Sequence, residues 1–288
     1  MDLYCVMGNP VEHSKSPWIH ARFAALTGQT LQYGKRLVAL GRFADEVHAF
    51  FAAGGRGCNI TVPFKFEAAA LASRSSERAT LAQAANVLTL RAGGIVADNS
   101  DGAGLVNDIQ CNAGVDLSGR DVLLIGAGGA AAGVLGPLLL ARTASITVTN
   151  RTRHKADVLA ERHQALAAQQ QTELVTQSLP DLKRDFDVVI NATTSSLSGG
   201  GIPVPVNVLK PGALAYDMMY GPAAHGFMRW AEAHGAVARD GLGMLVEQAA
   251  EAFLIWRGVR PPSRQVLDEL RATMPEPWIA DLVRNDRQ

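Results

Sequence analysis

The sequence predicts an α/β protein of two domains, and three observations predict it. An apolar strand at 122–125 runs straight into a glycine loop, a small-residue helix and a second, β-branched strand ending at Thr149. Strand and helix patterns alternate before that unit and again after it, to about residue 240. A long helical pattern at 241–256 then follows where the alternation ends. With 288 residues, 48% hydrophobic and 19% charged, the chain is long enough to bury two moderate cores.

The unit at 121–152 organises the rest. Val122, Leu123, Leu124 and Ile125 open onto Gly126, Ala127, Gly128, Gly129, Ala130 and Ala131, a GxGxxA loop followed by a helix at 130–141 and a strand at 145–149. This is a βαβ unit of the length that a Rossmann-type dinucleotide fold requires. Gly126 permits the tight turn, Gly128 lets backbone N–H groups approach a pyrophosphate, and Ala131 permits close helix packing. An NAD site places Asp or Glu about 20 residues past the glycines. This chain instead has Asn150, Arg151, Thr152, Arg153, His154 and Lys155. A carboxylate would repel a 2′-phosphate, whereas guanidinium grips it, so the expected cofactor is NADP. The alternative for Arg151, Arg153 and Lys155 is a solvated helix start.

Composition narrows the partner. Lys plus Arg and Asp plus Glu balance at 27 each, which provides no field for a nucleic-acid backbone or an anionic membrane, so the ligand is expected to be small. Cys5, Cys58 and Cys111 are widely spaced with no CxxC, as expected in a reducing cytoplasm. No HxxxH or HExxH pair suggests a metal, and no apolar stretch is long enough for a membrane span. No repeat or low-complexity tract is present.

In chain order, a strand at 3–7 ends at Gly8, Asn9 and Pro10, and a polar loop follows. Ser16 before Pro17 reads as a helix start, with Ser16 available as its cap. Ser14 has no such role, and two hydroxyls flanking Lys15 suit a polyol or carboxylate. A strand at 31–40 and a helix bearing Phe43, Val47, Phe50 and Phe51 form a further βα unit. The strand at 58–62 carries Asn59 and Thr61 and leads to Lys65, at the edge where open α/β sheets place ligands. A solvated lysine opening a helix is the plainer reading. Helical segments span 67–83, and a hairpin joins 86–90 to 95–97 through Gly93 and Gly94. The acidic run Asp98, Asn99, Ser100, Asp101, Gly102 fails the calcium-loop spacing, and Asp101 is placed to cap a helix at 103–112. Further strands fall at 185–190, 213–216 and 236–238. The first is followed by Asn191, Ala192, Thr193, Thr194 and a glycine-rich stretch at 198–201, beside the nicotinamide half of a dinucleotide. On the helix at 241–256, Gln248 shares a face with Leu245, Ala252 and Trp256, so it either pairs with backbone or faces a cleft. Prolines at 261, 262, 275 and 277 break the tail.

Taken together, the motifs GNPVEHSKSP at 8–17, NITVPFK at 59–65, DNSDG at 98–102, GAGGA at 126–130, NRT at 150–152, NAT at 191–193 and DGLGMLVEQAA at 240–250 resemble the shikimate dehydrogenase family, over about residues 4–262. The resemblance implies NADPH-dependent reduction of 3-dehydroshikimate to shikimate in aromatic amino-acid biosynthesis. It implies Lys65 and Asp101 as catalytic pair, with Ser14, Ser16, Thr61, Asn86, Gln248 and Tyr220 around the substrate. Its cofactor set is Gly126, Ala127, Gly128, Gly129, Ala130, Asn150, Arg151, Thr152, Lys155, Ala192, Thr193, Met218 and Gly241. Hydride arriving at a carbonyl carbon leaves an alkoxide, which Lys65 is suited to protonate with Asp101 balancing its charge. The family fold implies a substrate domain at 1–102 and 241–288, with an inserted NADP-binding Rossmann domain at 103–240 that closes over the cleft.

The chain departs from the pattern after GAGGA, where Ala131 and Ala132 replace a frequent Ser and Arg. That removes one phosphate contact and leaves Arg151 and Lys155 to supply the charge. A quinate/shikimate dehydrogenase with relaxed NAD/NADP use is the nearest alternative, and the intact pair Ser14 and Ser16 favours shikimate. A non-catalytic NADP-binding regulator is expected to lack Lys65 or Asp101, and both are present. A monomer or homodimer acting on a small molecule is expected.

Overall fold

The computed structural model describes residues 1–193 and 205–274. The expected glycine-rich stretch at 198–201, Thr194 and the tail prolines at 275 and 277 lie outside the described residues.

The first part alternates β1 (Asp2–Gly8), α1 (Ser16–Thr27), β2 (Leu31–Leu37), α2 (Phe43–Ala52) and β3 (Gly55–Ile60). It continues with α3 (Lys65–Leu71), β4 (Arg74–Ser75), α4 (Glu77–Ala82), β5 (Val87–Arg91) and β6 (Gly94–Asp98). These strands form one sheet in the order β2-β1-β3-β5-β6-β4. β1 is parallel to β2 and β3, while the β5–β6 hairpin makes β5 antiparallel to β3. α5 (Asp101–Asn107) and one turn of π-helix (Asp108–Asn112) then lead to the second sheet.

The second part comprises β7 (Asp121–Ile125), α6 (Gly129–Leu140), β8 (Ser145–Thr149), α7 (Arg153–Gln170), β9 (Glu173–Thr176), β10 (Phe186–Asn191), β11 (Leu209–Asp217), α8 (His225–Ala233) and β12 (Val237–Arg239). Its sheet is wholly parallel, in the order β12-β11-β10-β7-β8-β9. Strand order reverses between β7 and β10, the switch point where such sheets bind ligands. Side chains alternate across the pleat: Val122, Leu124, Val188 and Ile190 bury in one core, and Leu123, Ile125, Val189 and Ala215 in the other. Both faces are therefore apolar, which is why these strands read as continuous hydrophobic runs.

α9 (Leu242–Arg257) and α10 (Ser263–Thr273) return to the first part. Val246, Phe253, Val266 and Leu267 share a core with Ile19 and Phe23 of α1. Each such side chain contributes roughly 1.5–3 kcal/mol on burial. Among the described residues, no helix is long and apolar enough to cross a membrane.

Several expected boundaries shift. β2 stops at Leu37, opposite Gly8 where its partner β1 ends, and Val38 N still donates to Gly8 O. The helical stretch at 67–83 breaks at Arg74–Ser75, and Ser76 caps α4 by accepting from Ala79 N at 3.2 Å. The helix placed at 103–112 begins at Asp101 and ends in the π-turn. β9 had no counterpart in the sequence reading, since its four residues Glu, Leu, Val and Thr are too few to show a period.

Candidate active site

Lys65 is the first residue of α3, just beyond the end of β3, and Asp101 is the first residue of α5, just beyond β6. The sheet brings these two helix starts together. Lys65 Nζ donates to Asp101 Oδ2 at 2.5 Å, with the side chains only 13% and 1% exposed. Asp101 does not cap α5: the side chain is spent on Lys65 and Asn86, and its own N–H donates to Asn99 Oδ1 at 3.0 Å. Ser16 is likewise no cap. It lies inside α1 with Lys15 at the N-cap position, and its N–H donates to Ser14 Oγ at 3.3 Å.

Asn86, which directly precedes β5, ties the cluster together. Its Nδ2 donates to Asp101 Oδ1 at 2.9 Å, Ser100 Oγ at 3.0 Å and Gln248 Oε1 at 2.9 Å. Its Oδ1 accepts from Ser100 N at 2.7 Å. Gln248 thus faces a cleft and pairs with a side chain, the second of its two expected fates. Tyr33 donates from its hydroxyl to Asn59 Oδ1 at 2.7 Å, and Asn59 Nδ2 donates to Asn86 O at 3.2 Å. Asn59 and Ser100 escaped the sequence-based site set. Asn59 lies two residues before Thr61, and period-2 alternation along that stretch carried the signal for it.

A cavity of about 860 Å³ gathers all eight expected catalytic and substrate residues: Ser14, Ser16, Thr61, Lys65, Asn86, Asp101, Tyr220 and Gln248. Burial holds the Tyr220 phenol above its ordinary pKa, against an opposing backbone hydrogen bond from Lys15. Ala130 from the start of α6, and Ala192, Thr193 and Met218 from loops of the other sheet, line the same cavity.

The remaining cofactor residues surround the glycine loop. Gly126 follows β7 with φ +119, and a Cβ there would lie 3.1 Å from Ala192 O, so both conformation and space demand glycine. At Gly128, the N-cap position of α6, an added Cβ would meet nothing within 4 Å. The loop therefore leaves open room ahead of a 12-residue helix whose N-terminus favours an anion. Asn150 Nδ2 donates to Thr152 O at 2.8 Å, shaping the turn after β8. Arg151, Thr152 and Lys155 are exposed there, and among the described residues the side chains of Arg151 and Lys155 have neither a hydrogen bond nor an ion pair. Open room at the glycines and free cations beyond β8 fit a dinucleotide carrying a 2′-phosphate. Gly241 stands apart from the cavity lining, buried where a Cβ would come within 2.3 Å of Met218 O.

Comparison with known proteins agrees along most of the chain. A family model described as the shikimate dehydrogenase substrate binding domain matches residues 6–88. One described as shikimate / quinate 5-dehydrogenase matches 109–198, and one described as the shikimate 5'-dehydrogenase C-terminal domain matches 241–271. A shikimate dehydrogenase (NADP(+)) of Acidovorax sp. (strain JS42) is 66% identical over 273 residues, covering 95% of this chain and 97% of that protein. Among solved structures, an Ael1 enzyme from Pseudomonas putida is 45% identical with TM-score 0.84, over 96% of this chain and 99% of that one. Shikimate 5-dehydrogenase from Thermus thermophilus, in complex with NADP(H) and shikimate, is 29% identical with TM-score 0.82, over 94% and 99%. Loops of two sheets meeting at one cavity, three matching family models and near-complete coverage at 66% identity have one common explanation: the chain belongs to the shikimate dehydrogenase family.

Proposed function

We propose that the protein is an NADP-dependent shikimate dehydrogenase, interconverting 3-dehydroshikimate and shikimate in aromatic amino-acid biosynthesis. The observation that carries this reading is the Lys65–Asp101 pair, facing a cavity that Ala130 of the glycine-loop helix also lines. Names of close relatives and the Thermus complex with NADP(H) and shikimate support it.

When bound, the nicotinamide supplies or accepts the hydride. The chain's own residues do the rest. Lys65 Nζ, held by Asp101, donates a proton to the carbonyl oxygen as negative charge develops there, and takes it back in the reverse direction. Ser14, Ser16 and Tyr220 bind the substrate carboxylate through hydroxyl groups, while Thr61, Asn86 and Gln248 bind the ring hydroxyls. Asn86 also holds Asp101 in place, so the proton-transfer geometry exists before substrate arrives. On the other side, Gly126, Ala127, Gly128, Gly129 and Ala130 cradle the pyrophosphate, and Arg151 and Lys155 grip the 2′-phosphate beside Asn150 and Thr152. Ala192, Thr193 and Met218 border the nicotinamide, with Gly241 fixing the Met218 backbone.

We read residues 1–102 and 241–288 as the substrate domain and 103–240 as the cofactor domain. The protein acts as a monomer or homodimer in the cytoplasm, whose reducing state suits its three free thiols.

The test is absorbance at the NADPH band with shikimate or quinate, each offered NADP and then NAD. Dominant turnover of shikimate with NADP is expected. Equal turnover of quinate with NAD selects the relaxed enzyme, and no turnover by folded protein that binds NADP selects the regulator.

A further inference from the structure

The helix that carries the glycine loop also lies against the acid–base pair. A Cβ built on Gly129 of α6 would sit 3.1 Å from Lys65 Cβ. One turn later on the same helix face, a Cβ on Gly133 would lie 2.8 Å from both Nδ2 and Oδ1 of Asn99 and 3.0 Å from Asp101 Oδ2. Such distances are closer than packed atoms tolerate, so Asn99 or Asp101 would have to move. Asn99 has little freedom to do so. It is 1% exposed, its Nδ2 donates to Ala84 O at 2.8 Å, and its Oδ1 accepts the Asp101 N–H at 3.0 Å. Asn99 does not line the cavity, so it has no substrate to touch. Asp101, directly bonded to it, does.

We propose that Asn99 is a positioning residue: clamped between Ala84 and the Gly133 face of α6, it sets Asp101 against Lys65 and makes proton-transfer geometry depend on where the dinucleotide-binding helix sits. The inference rests on the functional reading above. It assigns the backbone of α6 a second task beside holding the cofactor.

The experiment compares Gly133→Ala, Asn99→Ser and the double variant. Turnover is followed by NADPH absorbance, NADP affinity by fluorescence titration, and the Lys65–Asp101 separation by crystallography. A displaced Asp101 is expected to lower kcat about tenfold to hundredfold in each single variant, with NADP affinity and shikimate KM within about threefold. The double variant should be little slower than Asn99→Ser, because shortening the side chain removes the two closest contacts of the new methyl and leaves only the 3.0 Å approach to Asp101 Oδ2. Wild-type kcat in Gly133→Ala, or losses that multiply in the double variant, would overturn the proposal. Should Gly133→Ala fail to fold, Asn99→Ser decides, and an unchanged kcat there overturns it equally. Crystals of Gly133→Ala should show the Lys65–Asp101 hydrogen bond broken, and an intact one sinks the idea whatever the substrate. Wild-type protein inactive with shikimate and NADP sinks only the functional reading, and the crystallographic arm still judges this one.

Discussion

Lys65 and Asp101 sit 13% and 1% exposed in a knot of side-chain bonds, whereas Arg151 and Lys155 stand in solvent and, among the described residues, their side chains have no hydrogen bond or ion pair. The two sides of the site are thus built by opposite means. On the buried side, groups are aimed by each other before any ligand comes, and low local dielectric strengthens each interaction. On the exposed side the cations are left free, so the ligand's own phosphate must organise them, against salt and solvent. The buried side should therefore govern rate and pH dependence, and the exposed side cofactor choice and salt dependence.

The largest expected effect breaks the buried side. Lys65→Ala should lower kcat by about 10²–10⁴-fold while shikimate still binds, measured by NADPH absorbance beside calorimetric titration. A variant that loses binding and keeps kcat would invert the comparison. Next, Arg151→Ala should weaken NADP about tenfold to hundredfold, the value of roughly 1.5–3 kcal/mol for bonds to a charged group, and leave NAD unchanged. Raising salt on the wild type should do the same to NADP affinity. Equal losses for both cofactors would mean that Arg151 supports the fold and not the phosphate.

A third prediction concerns pH. His20 lies beneath the substrate side, 1% exposed and stacked on Tyr33 at 4.2 Å, and burial lowers its pKa from 6.5 to about 3. The unfolded chain then binds a proton that the folded chain refuses. Stability from this group should fall by about 1.4 kcal/mol for each pH unit on acidification from near 6.5 toward 3, seen in urea melts. His20→Phe should flatten that slope, and an unchanged slope would place the acid sensitivity elsewhere. The smallest effect is at the partly exposed Arg22–Glu269 pair joining α1 to α10, where hydrogen bonds from Arg22 and Gln265 draw the Glu269 pKa down to about 2. Its contribution is present above the ordinary carboxylate range and is lost as pH falls toward 2. Glu269→Gln should lower Tm slightly at neutral pH and not at all near pH 2.

Legibility in the sequence followed the same division. The glycine loop, β7, β8 and the exposed cations after them are contiguous, so a single stretch of chain announced the exposed side. The buried side joins Lys65, Asn86, Asp101 and Gln248 from four distant stretches, and only the family resemblance brought these together. Residue chemistry alone left Lys65 as a solvated helix start and Asp101 as a cap, because neither a lysine nor an aspartate discloses its partner. Ser100 and Tyr33 stayed hidden for a related reason: each acts through a neighbour, and a hydroxyl gives no periodicity to read. β9 was missed because four residues cannot show alternation.

The return of α9 and α10 to pack on α1 has a consequence for how the chain emerges during synthesis. The strands of the parallel sheet from β7 to β12 are continuous in sequence and all precede α9, which adds Met244 to one of the sheet's cores. The earlier sheet cannot finish its own packing before α9, because Ile19 and Phe23 await Val246, Phe253 and Leu267. Gln248 reaches Asn86 only after that late docking. Every strand of the cofactor sheet thus precedes the last piece of the acid–base cluster in the chain, and a product truncated before α9 should lack the Gln248 bond to Asn86.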